Sequence, residues 1–136
     1  MSDPPGRTYT VAEANAALAE VNPLVARIAF LIRDLPELQE AVQIANYRSS
    51  REDSGPELRA NCEAAKRAVS DAETELARAV AWLESMGIAL KDPQIGLIDF
   101  YGYVDDELVE LCWKLGETHI AHWHRIGDGF VGRRPL

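Results

Sequence analysis

The chain has 136 residues, 47% of them hydrophobic, and a formal net charge of −8 from 14 basic and 22 acidic side chains. That size holds one hydrophobic core and not two. The acidic balance argues against a nucleic-acid binder, because phosphate contacts need a basic face, and against an anionic membrane surface for the same reason.

No uninterrupted apolar run approaches the roughly eighteen residues that span a bilayer, and the opening MSDPPGRTYT lacks the basic and apolar stretches of an export signal. The expectation is a cytoplasmic protein with Cys62 and Cys112 both reduced. Residues 1–8, with Asp3, Pro4, Pro5 and Gly6, read as a loose tail. Thr10 opens T-V-A-E, a capping box in which Thr10 caps the Glu13 amide and Glu13 reaches back, so a helix is expected from about Val11. Ala14, Leu18, Val21, Val25, Ile28, Ile32 and Leu35 then step by fours and threes, which keeps one helical stripe facing a partner. The helical segment covers 9–47. Pro23 and Pro36 each remove a backbone donor, which predicts a kink or a break and restart within it.

Residues 48–56, RSSREDSGP, read as a mobile loop. A second long helix over 57–87 carries Leu58, Cys62, Ala65, Val69, Ala72, Leu76, Ala79, Leu83 and Met86 on the same spacing and ends at Gly87, a left-handed cap. Its alanine-rich stripe buries little area per residue, so the hairpin needs a sheet or a second subunit against it.

From Ile88 the period changes to two. Strands are expected over 88–90 and 95–104, the latter with Leu97, Asp99, Tyr101 and Tyr103 on one side, with turns at Asp92-Pro93 and Asp105-Asp106. Two more, over 107–115 and 118–125, flank Gly116-Glu117 as a type II′ turn. The end, GDGFVGRRPL, is either an edge strand or a coil laid over the sheet. The whole is a single α+β domain: a long kinked helical hairpin packed on a small C-terminal antiparallel β-meander, with residues 88–136 supplying the strands and the glycine-rich tail.

Residues 108–124, LVELCWKLGETHIAHWH, gather two of three tryptophans, all three histidines and one of two cysteines. Cys112, His122 and His124, with Glu110, Glu117 or Asp99 as an added carboxylate, are the ligand types that zinc or iron takes, and strand residues two apart share a face. Register decides the matter. A strict two-residue loop sets Leu111 opposite His122 and Val109 opposite His124, with Cys112 facing away; a one-residue bulge sets Cys112 opposite His122 and Glu110 opposite His124. The sequence favours the first. The plain alternative makes both histidines half-buried strand residues and Cys112 a small buried hydrophobe.

A Cys112 nucleophile with His122 or His124 as base is a further option that no local signature supports. Trp113, Trp123, Tyr101 and Tyr103 either wall a ligand pocket or pack as core. Asp99, between Ile98 and Phe100, needs a partner if buried, with Arg125, Arg133 or Arg134 available. The ligand-contact candidates are therefore Asp99, Trp113, Glu117, Trp123 and Arg134.

GLIDF at 96–100, LCWKLGE at 111–117, HWH at 122–124, the closing GDGFVGRRPL and the opening TVAEANAAL together resemble a bacterial family catalogued as domain of unknown function 2203. His122 departs from the family's aromatic residue before Trp-His. The resemblance implies a fold, and no activity or catalytic residue. Two functions stand beside each other: a domain that holds a divalent metal or small ligand at the 108–124 hairpin, and a structural module whose heptad-patterned helices pair with a second copy as a homodimer.

Overall fold

The computed structural model describes residues 6–51 and 53–136. Residues 1–5 of the expected tail lie outside the described residues. Thr10 caps α1 (Val11–Ser49) through the expected box, its hydroxyl accepting from the Glu13 amide at 3.0 Å while the Glu13 carboxylate accepts from the Thr10 amide at 2.9 Å. Before it, Tyr9 is buried, its hydroxyl donating to the Met86 carbonyl at 2.6 Å and its amide to the Tyr101 carbonyl at 2.7 Å.

Of the kink or break expected at the prolines, the break does not occur: one continuous 39-residue helix passes through Pro23 and Pro36. Both prolines sit on the exposed side of α1. The carbonyl of Ala19, which loses its intrahelical donor to Pro23, belongs to an exposed residue that water reaches, so the missing bond is replaced by solvent. The helix also runs two residues beyond the expected end, leaving a shorter connection to α2 (Pro56–Ser85), which Pro56 opens at its first position. Gly87 follows with φ +74, as the left-handed cap requires.

The strands are β1 (Ile88–Asp92), β2 (Leu97–Val104), β3 (Glu107–Lys114), β4 (His122–Arg125) and β5 (Arg134–Pro135), an antiparallel meander in the order β1-β2-β3-β4-β5. Asp105 and Asp106 both take positive φ, 51 and 65, as the tight β2–β3 turn demands. One sheet face carries Ile88, Ile98, Phe100, Val109, Leu111 and Trp113 into a core with Ala14, Leu18, Val21, Val25 and Ile28 of α1 and Ala79 and Leu83 of α2. The sheet thus supplies a partner for the last part of the α2 seam, from Leu76 onward.

Among the described residues, none between Arg33 and Glu75 belongs to that core or packs against it, so the closed end of the hairpin projects as a two-helix arm. An 18-residue window of α1 reaches a hydropathy of 1.3 with at most two charged residues, long and apolar enough by composition to cross a membrane. A count of uninterrupted apolar residues passes over it; in this fold its apolar stripe is the one that meets the sheet.

The largest departure lies between β3 and β4. Residues 115–121 form a wide loop in place of a two-residue turn, and the register pairs Cys112 with His122, Leu111 with Trp123 and Glu110 with His124. The favoured register, Leu111 against His122, is therefore corrected. Buried Ile120 anchors the loop, its amide donating to Asn15 Oδ1 of α1 at 2.7 Å, and the Trp113 indole donates to the Glu117 carbonyl at 3.0 Å.

Gly96 tests how tightly sheet and helix meet: at φ +67, a Cβ there would lie 2.6 Å from Leu115 Cβ and 2.9 Å from Val25 Cγ1. Gly96→Ala is expected to cost about 3 kcal/mol in urea denaturation. Gly116→Ala, strained at φ +103 but facing open space, should cost about 1 kcal/mol. Equal losses at the two positions would contradict the packing described.

Candidate metal centre

Once Leu111 and Trp123 point to the helices, their neighbours Cys112, His122 and His124 must point to the opposite face of the sheet. Asp99 joins them, because it lies directly across from Cys112 on β2. Asp99, Glu110, Cys112 and His124 are all buried on this second face, with exposures of 1–3%. Gly127, Gly129 and Phe130 from the C-terminal segment line a cavity beside them, together with Lys91 and Leu97.

His124 meets both of its contacts with Nδ1 as a donor. Its Nδ1 lies 2.9 Å from the Arg125 carbonyl, which only accepts, so Nδ1 carries the hydrogen. Nε2 lies 3.1 Å from Asp99 Oδ2, so one proton between the two groups, on the imidazole or on the carboxyl, makes this a hydrogen bond. Burial pushes the Asp99 carboxyl up to about 6, aided by the Glu110 carboxyl and opposed by His124. Burial, then the Asp99 charge, pushes the Cys112 thiol up to about 12, which leaves it protonated and a poor nucleophile in the metal-free chain. The Cys112-nucleophile option loses its support there.

One ligand atom from each of Asp99, Cys112 and His124 lies within 4.8 Å of the other two. Two buried oxygens nearby, Asp99 Oδ1 and Glu110 Oε2, find no hydrogen-bond partner among the described residues, although Lys91 Nζ stands 3.4 Å from the latter. Of the residues singled out in the sequence, Cys112, His124 and Asp99 come together. His122 does not join them: Arg133 donates to its Nδ1 at 2.8 Å and to both Glu117 oxygens, at 2.8 and 2.7 Å.

Glu117 is thus a latch for the C-terminal segment, with Phe130 against the Arg133 and Lys114 cations. Trp113 is wholly buried in the core on the other face, and Trp123, half-buried beside it, is covered by Arg134 at 5.5 Å. None of the three arginines expected for Asp99 reaches it, since Arg125 pairs with Glu107, Arg133 with Glu117, and Arg134 stacks on Trp123. The Asp99 partner is His124. Glu110 entered the sequence reading as one carboxylate among three; its pairing with His124 is what makes it a neighbour of the site.

A family model described as an uncharacterized conserved protein (DUF2203) matches residues 7–136. The chain belongs to the DUF2203 family. That family covers both the helical hairpin and the sheet with its buried polar cluster. No curated protein and no solved structure matches the chain.

The raised Asp99 carboxyl has a pH signature in this DUF2203 domain. Folded Asp99 holds its proton up to about 6 and the unfolded chain only to about 3.8, so its contribution to stability is present below about pH 4 and is lost as pH rises through about 6. Urea denaturation of metal-free protein should show stability falling across that window, and Asp99→Asn should flatten the slope. Stability that rises over the same window because of Asp99 would contradict the assignment.

Proposed function

We propose that this domain binds a divalent metal ion, zinc or ferrous iron, through Asp99, Cys112 and His124. The observation that carries the reading is the orientation of the His124 ring. An imidazole whose Nδ1–H is held by a backbone carbonyl presents Nε2 as a ligand, the arrangement found behind metal-bound histidines. That ring converges with a thiol and a carboxylate in a buried site where Asp99 Oδ1 finds no donor among the described residues.

A cation in the site would take the place of the shared proton and the thiol proton, and would relieve the crowding of Asp99 and Glu110. Thiolate and imidazole select zinc or iron over calcium or magnesium. Both cysteines are free thiols, Cys62 donating to Asn46 Oδ1, which suits the reducing cytoplasm.

Elemental analysis of protein purified without a histidine tag is expected to give about one zinc or iron per chain. His124→Ala should lower metal affinity on the order of 100-fold or more, with the helical signal in circular dichroism retained. Substoichiometric metal that is unchanged in His124→Ala would remove the proposal.

A second reading, compatible with the first, is self-association through the arm. Ala41, Ile44, Ala45, Arg48, Leu58 and Asn61 line a groove there, and Ile44 and Tyr47 are exposed. Two helices with an alanine-rich seam hold each other weakly, and the arm of a second copy would complete a four-helix bundle. Light scattering at tens of micromolar should give a dimer that Ile44→Glu dissociates; a monomeric parent protein would end this reading.

A further inference from the structure

Structural zinc sites fill four positions with protein donors, whereas open sites use three and leave the fourth to water. Here the tight donor group is Asp99, Cys112 and His124, one from each of three adjacent strands. Glu110, buried and directly across from His124, stands outside that group. A cavity of about 150 Å³ is lined by Asp99, Glu110, His124, Lys91 and Phe130 but not by Cys112, so the space adjoins the carboxylate and imidazole donors rather than the thiol. Glu110 Oε2 is buried at this place, with no hydrogen bond from the described residues and the Lys91 ammonium at the rim beside it.

We propose that the centre is an open one: its fourth ligand is a water molecule in this cavity, oriented by a hydrogen bond to Glu110 Oε2. This rests on the metal-binding reading above. Glu110 is then a positioning residue, acting on the metal through the water it holds. A carboxylate oxygen turned toward the metal-bound atom accepts a hydrogen bond from it, so the position favours ligands whose metal-binding atom carries a hydrogen, such as water or a hydroxamic acid, over simple anions. The space, about that of five water molecules, limits the ligand to a handful of heavy atoms. Lys91, with its ammonium 3.4 Å from Glu110 Oε2, balances the charge of that carboxylate at the rim.

Cobalt(II), whose visible bands report its coordination, makes the test direct. Tag-free protein carrying one cobalt(II) per chain is titrated with acetohydroxamic acid and, in parallel, with sodium azide. The expected result is a saturable one-to-one change with the hydroxamic acid, at an affinity at least about 10-fold above that for azide. Glu110→Ala and the near-isosteric Glu110→Gln should keep one cobalt(II) per chain and lose hydroxamate affinity by about 10-fold or more.

Cobalt(II) that binds one per chain with bands indifferent to the hydroxamic acid would overturn the open centre. So would a loss of cobalt(II) affinity in Glu110→Gln as large as that in His124→Ala, which would make Glu110 a fourth ligand. Either result leaves metal binding itself standing. Failure of the folded protein to bind cobalt(II) at all would remove both.

Discussion

The alternation of side chains across the β3–β4 pair is the constraint from which the rest follows. Leu111 and Trp123 are paired and face the helices, which drives Cys112, His122, Glu110 and His124 to the other side. A shift of one residue would turn two imidazoles toward the apolar core and the indole of Trp123 away from it. The cost of such a slip, several polar groups desolvated without partners, far exceeds the cost of a wider loop. The sheet therefore has two interiors: an apolar one under the helices and a polar one under the C-terminal segment.

Each interior is closed by a different part of the chain. The helices close the first with aliphatic side chains. The second is closed by residues 127–136, which have few apolar anchors and are tied down by ion pairs, cation–π contacts and a two-residue strand. Phe130 lies between Arg133 and Lys114, and the Leu136 amide reaches the Ala121 carbonyl at 2.9 Å. Such a cover is held by contacts at its edges rather than by a buried apolar face of its own.

Much of this was legible in the residues. The capping box at Thr10 and Glu13, the four-three stripes and Gly87 located both helices, and the alternation of Leu97, Asp99, Tyr101 and Tyr103 assigned β2 to its faces. Pro23 and Pro36 do not break α1; at Pro23 the carbonyl left without a donor, that of Ala19, belongs to an exposed residue. The β4 register was hidden by Gly116-Glu117, which looks like a hairpin turn. What overrules that local signal is tertiary: Ile120 enters the core and Asn15 binds its amide, which requires a longer loop. One sign of it was present, since a tryptophan flanked by two histidines is most simply placed with the indole inside. The partner of Asp99 was out of reach because it depended on that register.

The bond between Asn15 and the loop before β4 also has a mechanical side. Asn15 lies near one end of a helix whose other end, at Ser49, is about 50 Å away, and only the first half of that rod is clamped by the sheet. Beyond Ile32, where contact with the core ends, the free arm is about 26 Å long, and a tilt of about five degrees there carries its tip through about 2 Å, while the loop that leads into β4 is tied to the clamped half.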